Sequence, residues 1–144
     1  MQLKGNDMNM KRFFIAGVCA FIFVFLYEFL VHGFLMMDLY TQTADVWRPA
    51  EETNMAILLL SQFLFGMAVA FFYPIVGLDT EDCKKGIPFG IGLGLVMATP
   101  QIATYCYLPI PLTISLLWAL TEFIKAIVTV LIVSKIYNWK KVVI

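Results

Sequence analysis

The chain has 144 residues, of which 61% are hydrophobic and 14% charged, and its ten basic residues balance its ten acidic ones. A soluble domain carries roughly a quarter of its residues as Asp, Glu, Lys and Arg, and a nucleic-acid partner calls for a basic surplus. A disordered chain, a disulfide-stapled secreted scaffold and a nucleic-acid binder are excluded, which leaves one membrane domain over 1–144 whose first partner is the lipid bilayer.

Four apolar stretches follow in chain order, at about 13–37, 54–78, 86–107 and 111–137. Each exceeds the ~20 residues with which a helix crosses a ~30 Å hydrocarbon core. Backbone polar groups in lipid need internal partners and no alternating strand pattern is present, so the expected fold is all-α, a four-helix transmembrane bundle. The first span follows Lys11-Arg12. It is too long for a signal peptide, carries Glu28 and His32, and lacks a small-residue cleavage site, so it is expected to be retained. Pro49 with Glu51 and Glu52 reads as the first turn of the second helix, where a fixed φ and negative charge suit the N-terminal dipole. Pro88 plays that part for the third helix and Pro100 should bend it. Pro109-Ile110-Pro111 turns the chain into the fourth. The short connections predict that spans two and three, and three and four, are antiparallel neighbours.

Eight of the ten basic residues (Lys4, Lys11, Arg12, Lys84, Lys85, Lys135, Lys140 and Lys141) fall on one side of this topology, with Arg48 alone on the other. The excess of Lys and Arg in cytoplasmic loops predicts that both termini are cytoplasmic. The acidic loop 38–53 then faces outward, in a multi-pass protein of the inner (plasma) membrane. Trp47, Trp139, Tyr40, Tyr107 and Tyr137 fall near the interfaces as aromatic anchors. On the third span, Gly86, Gly90, Gly94 and Ala98 recur every four residues and make a smooth face. That face serves either ordinary packing inside the chain, the commoner use, or dimerisation or sliding. Gly90-x-Gly92-x-Gly94 is no phosphate loop, because no strand precedes it.

Ionisable side chains inside spans cost at least ~2.5 kcal/mol each, so they need partners or a wet cavity. Glu28 and His32 lie on the first span, Gln62 on the second, Gln101 on the third, and Glu122 and Lys125 on the fourth. At 1.5 Å per residue, Glu28, His32, Gln62, Gln101 and Glu122 lie roughly 8–17 Å from the outer ends of their spans, so four helices contribute to one depth band. Glu28 and His32, at i and i+4, share a helix face. They either handle a proton or cation or satisfy one another as a structural pair. Glu122 and Lys125, at i and i+3, either neutralise each other or part, with Glu122 turning to the shared site and Lys125 snorkelling to the cytoplasm. Gln62 and Gln101 are candidate interhelical glue.

No metal or cofactor is expected. The Glu28/His32 spacing differs from the Glu-x-x-His of di-iron bundles, and copper on His32, Met36, Met37 and Met55 is a minor alternative because methionine is common packing in apolar proteins. Cys19, Cys83 and Cys106 sit at different depths and are odd in number, so no disulfide is expected. No nucleophile elbow, paired catalytic cysteine or metalloprotease motif appears, and an enzyme is not expected.

Four short spans with a glutamate in the first resemble the small multidrug resistance exporters in architecture, although their glutamate lies near the start of a shorter helix, so no functional residue is carried across. The stretch Tyr27-Glu28-Phe29-Leu30-Val31-His32-Gly33, followed by Trp47-Arg48-Pro49, resembles uncharacterised bacterial four-helix membrane proteins, a resemblance that implies the fold and no activity. The expected function is transporter-like or channel-like, with Glu28, His32, Gln62, Gln101, Glu122 and Lys125 at a polar site for a proton, cation or small solute. A homo-oligomer is expected. The alternative is an accessory subunit of a larger membrane complex.

Overall fold

The computed structural model describes residues 9–78 and 83–139. Lys4, Lys140, Lys141 and most of the 79–85 connection, together with the side chain of Cys83, lie outside the described residues. Helix α1 (Met10–Leu30) is capped by Asn9, whose side chain accepts the Arg12 N–H at 3.0 Å. It runs on into a π turn, Val31–Leu35, and a short α2, Met37–Thr41. Helix α3 spans Met55–Ile75, α4 Gly86–Ala103 and α5 Leu112–Tyr137. All regular structure among the described residues is helical. Four helical stretches, Met10–Leu35, Met55–Ile75, Gly86–Cys106 and Leu112–Tyr137, are long and apolar enough to cross a membrane.

The start of α3 corrects the sequence expectation. Pro49, Glu51 and Glu52 belong to a separate 3-10 turn at Ala50–Glu52, and α3 begins at Met55. Asn54 caps it by accepting the Ile57 N–H at 3.1 Å, a contact that proline, with no side-chain acceptor, cannot make. At the other end Gly77 takes φ +75°, and the Gly77 and Leu78 N–H groups return to the carbonyls of Pro74 and Tyr73, which closes α3 in a Schellman turn. Pro100 lies inside α4, which continues past it to Ala103 and tightens into a 3-10 turn at Thr104–Cys106.

The helices pack in the order α3, α1, α5, α4, with α3 also touching α5. Spans three and four are neighbours as expected. Spans two and three are not: α3 and α4 approach where Gly86 faces the Tyr73 ring but do not pack along their lengths. Loop length limits how far a chain can reach, whereas matched surfaces choose the partner. A methyl group on Gly66 of α3 would lie 2.8 Å from the Phe21 nitrogen and 2.9 Å from the Gly17 oxygen of α1. One on Gly94 of α4 would lie 2.9 Å from the Phe123 oxygen of α5. Gly86, Gly90 and Gly94 are buried and Ala98 is half-buried, so the glycine face of α4 is spent on packing within the chain.

The first residues of α1 and the last of α5 meet at one end of the bundle, here the terminal end. Arg12 Nη1 donates to the Tyr137 carbonyl at 2.6 Å and Nη2 to the Trp139 carbonyl at 3.3 Å, which sets a cation on the negative pole of α5. Ala16, Ala20, Val69, Ala70, Tyr73, Val130, Val133 and Tyr137 form the core there. Tyr137 is therefore no interfacial anchor. It is 3% exposed and donates to the Ala70 carbonyl at 2.9 Å, whereas Tyr107 and Trp139 are well exposed.

Candidate functional site

Toward the opposite end of the bundle, here the loop end, lies the cluster of paired ionisable side chains. Glu28 stands on the last turn of α1 and points at α5. Lys125 Nζ donates to Glu28 Oε1 and to Glu122 Oε1, both at 2.5 Å, so one ammonium bridges two carboxylates from two helices. The second Glu28 oxygen takes the His32 Nε2 at 2.9 Å. Lys125 is 7% exposed and lies 5.7 Å from the centroid of the Phe65 ring of α3. Just beyond Glu28, Tyr27 donates to the Thr121 carbonyl at 2.9 Å and stitches α1 to α5 again.

Beyond His32 the chain of contacts becomes aromatic. The His32 Nδ1 meets the Tyr40 hydroxyl, and the two rings stack at an interplanar angle of 9°. Trp118 Nε1 donates to the same hydroxyl at 2.7 Å, and the Met36 sulfur lies 3.5 Å from it. Trp47 closes the group, with its ring 5.3 Å from Tyr40 and 5.8 Å from Trp118. Burial pushes the Tyr40 phenol above its ordinary range; the Trp118 hydrogen bond opposes this and the nearby Glu28 charge adds to it.

The π turn makes this geometry. Its i to i+5 bond, Met36 N–H to the Val31 carbonyl at 2.9 Å, adds a residue to the turn and brings Met36 under Val31, both buried. The chain then folds back through α2, which returns Tyr40 to His32.

The donor count is informative. The Tyr40 hydroxyl has one proton, and the Trp118 N–H can only donate. With a neutral His32 protonated at Nε2, Tyr40 donates to Nδ1. With a doubly protonated His32, Nδ1–H donates to Tyr40, whose own proton turns to the Met36 sulfur. Both protonation states are satisfied with no heavy atom moved. Two carboxylates and one ammonium leave the cluster at −1, and a charged His32 brings it to zero.

A cavity of about 780 Å³ opens between the loop-end halves of α1 and α3, beneath the loop. Glu28, His32 and Tyr40 line it together with Phe25, Phe29, Trp47, Met55, Leu58 and Trp118, and Arg48 lies on its wall. The buried ionic chain thus ends at an open, largely aromatic space.

A scan against protein-family models gives no match, and neither do searches of curated proteins and solved structures. The site is read from its chemistry.

The structure brings Glu28, His32, Glu122 and Lys125 into one cluster. Lys125 does not snorkel; it turns inward, because the two carboxylates offer it more than lipid would. Gln62 is buried on α3, one turn from Phe65, and its Oε1 has no hydrogen-bond partner among the described residues. Gln101 sits half-buried on α4, which packs on α5, and its side chain makes no hydrogen bond to the Glu28 cluster among the described residues. Both His32 nitrogens are engaged, so a copper ion would have to displace Glu28 or Tyr40; of the methionines offered beside it, Met36 is buried while Met37 and Met55 are half or more exposed. Cys19 and Cys106 are free thiols. Sequence reasoning missed Tyr40, Trp47, Arg48 and Trp118 as parts of the site. Trp118, Glu122 and Lys125 fall at i, i+4 and i+7 on one face of α5, a spacing that carried the signal for Trp118.

Proposed function

We propose that the protein is a multi-pass membrane protein of the transporter-like or channel-like kind, with both termini cytoplasmic, which binds a small solute in the loop-end cavity and exchanges protons through the Glu28–His32 pair. The observation that carries this reading is the cavity wall: Glu28 and His32 line it, and Glu28 is also the end of a buried chain running through Lys125 to Glu122. An ionisable group inside a span is expensive and calls for a role. This one meets open space on one side and a charge relay on the other.

Proton flux tests it. Protein in liposomes loaded with a pH-sensitive dye is challenged with a pH step, alongside Glu28→Gln and Glu122→Gln. Flux that falls about ten-fold or more in Glu28→Gln, the scale of losing one positioned proton-transfer group, supports the reading. Flux equal to wild type in both variants ends it.

A second reading, an accessory subunit of a larger membrane complex, is favoured by α4. It packs on α5 alone over most of its length and leaves Ile91, Leu95 and Val96 outward. Purification in mild detergent separates the two: stoichiometric partners favour the subunit, and a stable homo-oligomer favours the transporter.

A further inference from the structure

The charges at the cavity say what kind of solute it takes, given the solute site proposed above. A cation finds no vacancy there. Among the described residues Glu28 is the only carboxylate on the cavity wall, and each of its oxygens already has a partner nitrogen, Lys125 at 2.5 Å on one and His32 at 2.9 Å on the other. The His32 nitrogens are both engaged. Arg48 differs. Its side chain is exposed, it lines the cavity, and among the described residues it makes no hydrogen bond and no ion pair, although Asp45, Glu51 and Glu52 share its loop. An unengaged guanidinium presents a planar fork of five donors that matches a carboxylate or a phosphate. The rest of the wall is apolar and aromatic, with Phe25, Phe29, Met55 and Leu58 all exposed toward it or its mouth. Its volume of about 780 Å³ falls within the range of pockets that take drug-sized ligands.

We propose that the cavity binds an amphiphile with an anionic head, the head on Arg48 and the apolar body against Phe25, Phe29, Trp47 and Met55. The head chemistry is carboxylate or phosphate. It can arrive on a free amphiphile or on an anionic lipid of the bilayer. The carboxylate of Glu28 is already engaged by Lys125 at 2.5 Å and His32 at 2.9 Å, which weakens its repulsion of the head.

The cavity tryptophans make the test direct. Trp139→Phe leaves Trp47 and Trp118, both on the cavity wall, as the only tryptophans of the chain. This variant, in discs of phosphatidylcholine, is titrated with four chain-matched dodecyl compounds brominated on the tail, whose heads are carboxylate, phosphate, amine and alcohol. Contact with bromine quenches tryptophan fluorescence. The carboxylate and the phosphate are expected to reach half-quenching at concentrations about ten-fold or more below the amine and the alcohol, the worth of one charge-assisted contact. Arg48→Gln is expected to bring both acids to the level of the alcohol. Equal affinity for all four heads, a preference for the amine, or acid binding unchanged by Arg48→Gln overturns the anionic head and leaves the solute cavity standing. Absence of saturable quenching by any of the four overturns the cavity reading as well. Adding phosphatidylglycerol to the discs identifies the source: competition with the brominated acids marks a bilayer lipid as occupant, and unchanged binding marks a free amphiphile.

Discussion

At the terminal end the helices meet through small side chains and hydrogen bonds to hydroxyl and carbonyl groups, Arg12 among the donors, whereas at the loop end they meet through paired charges and aromatic rings. The first arrangement brings backbones close: Gly17 lies under Gly66, and Tyr73 and Ser134 share a 2.7 Å bond with no charge involved. The second joins helices through the long side chains of Glu28, Lys125 and Glu122, with a cavity beside them. Close apolar packing has one good arrangement and resists deformation. A hydrogen-bonded cluster with a spare proton position has more than one. The same four helices therefore make a closely packed terminal end and, at the loop end, a hydrogen-bonded cluster beside a cavity.

Removing the bridging cation should break the loop end hardest. Lys125→Met leaves two half-buried carboxylates without their shared cation, and it should cost about 2–4 kcal/mol of stability in a detergent unfolding titration. Adding Glu28→Gln and Glu122→Gln to it should return most of that loss. A stable Lys125→Met protein would mean that the cluster is well hydrated and the contrast between the two ends is false. The terminal end is probed by a smaller change. Gly66→Ala sets a methyl against the Phe21 nitrogen and should cost about 1–3 kcal/mol, while Gly92→Ala, which meets open space, should stay within about 0.5 kcal/mol of wild type in the same titration. Equal effects at the two glycines would remove the claim of a closely packed terminal end. The smallest effect is a titration. Because the folded state raises the Tyr40 pKa, the stability that its protonated phenol contributes is complete below the ordinary value of about 10 and is lost as pH rises through the folded value. The phenolate absorbance difference between wild type and Tyr40→Phe should therefore appear only above pH ~10. A difference centred on pH ~10 would place Tyr40 in open solvent.

Much of this was legible in the sequence. Apolar length pointed to four helices long enough to cross a membrane, and helical spacing pointed to both ion pairs. The crossing from Lys125 to Glu28 was not legible: i, i+3 geometry explains Glu122 and Lys125 by themselves, and no periodicity says which helix faces which. The same gap produced the wrong pairing of spans two and three. Tyr40 and Tyr137 carried the composition of interfacial anchors, yet each is held by a partner distant in sequence, Trp118 in one case and the Ala70 carbonyl in the other. A turn such as Ala50–Glu52 satisfies the same proline and acidic preferences as a helix start, so Pro49 pointed to the right chemistry at the wrong place.

The π turn of α1 amounts to a phase slip. In a regular helix five residues advance by about 500°, which would turn Met36 about 140° away from Val31. The extra residue takes up that difference, so both are buried on one side. A helical wheel drawn through α1 therefore fails beyond Leu30, as it would for two helices joined end to end. The first half of α1 packs on Gly66 of α3, its last turn reaches α5 through Tyr27 and Glu28, and the π turn that follows sets His32 against Tyr40. One continuous helical stretch can therefore pack on Gly66 of α3 at one end and still keep Met36 buried with Val31 at the other.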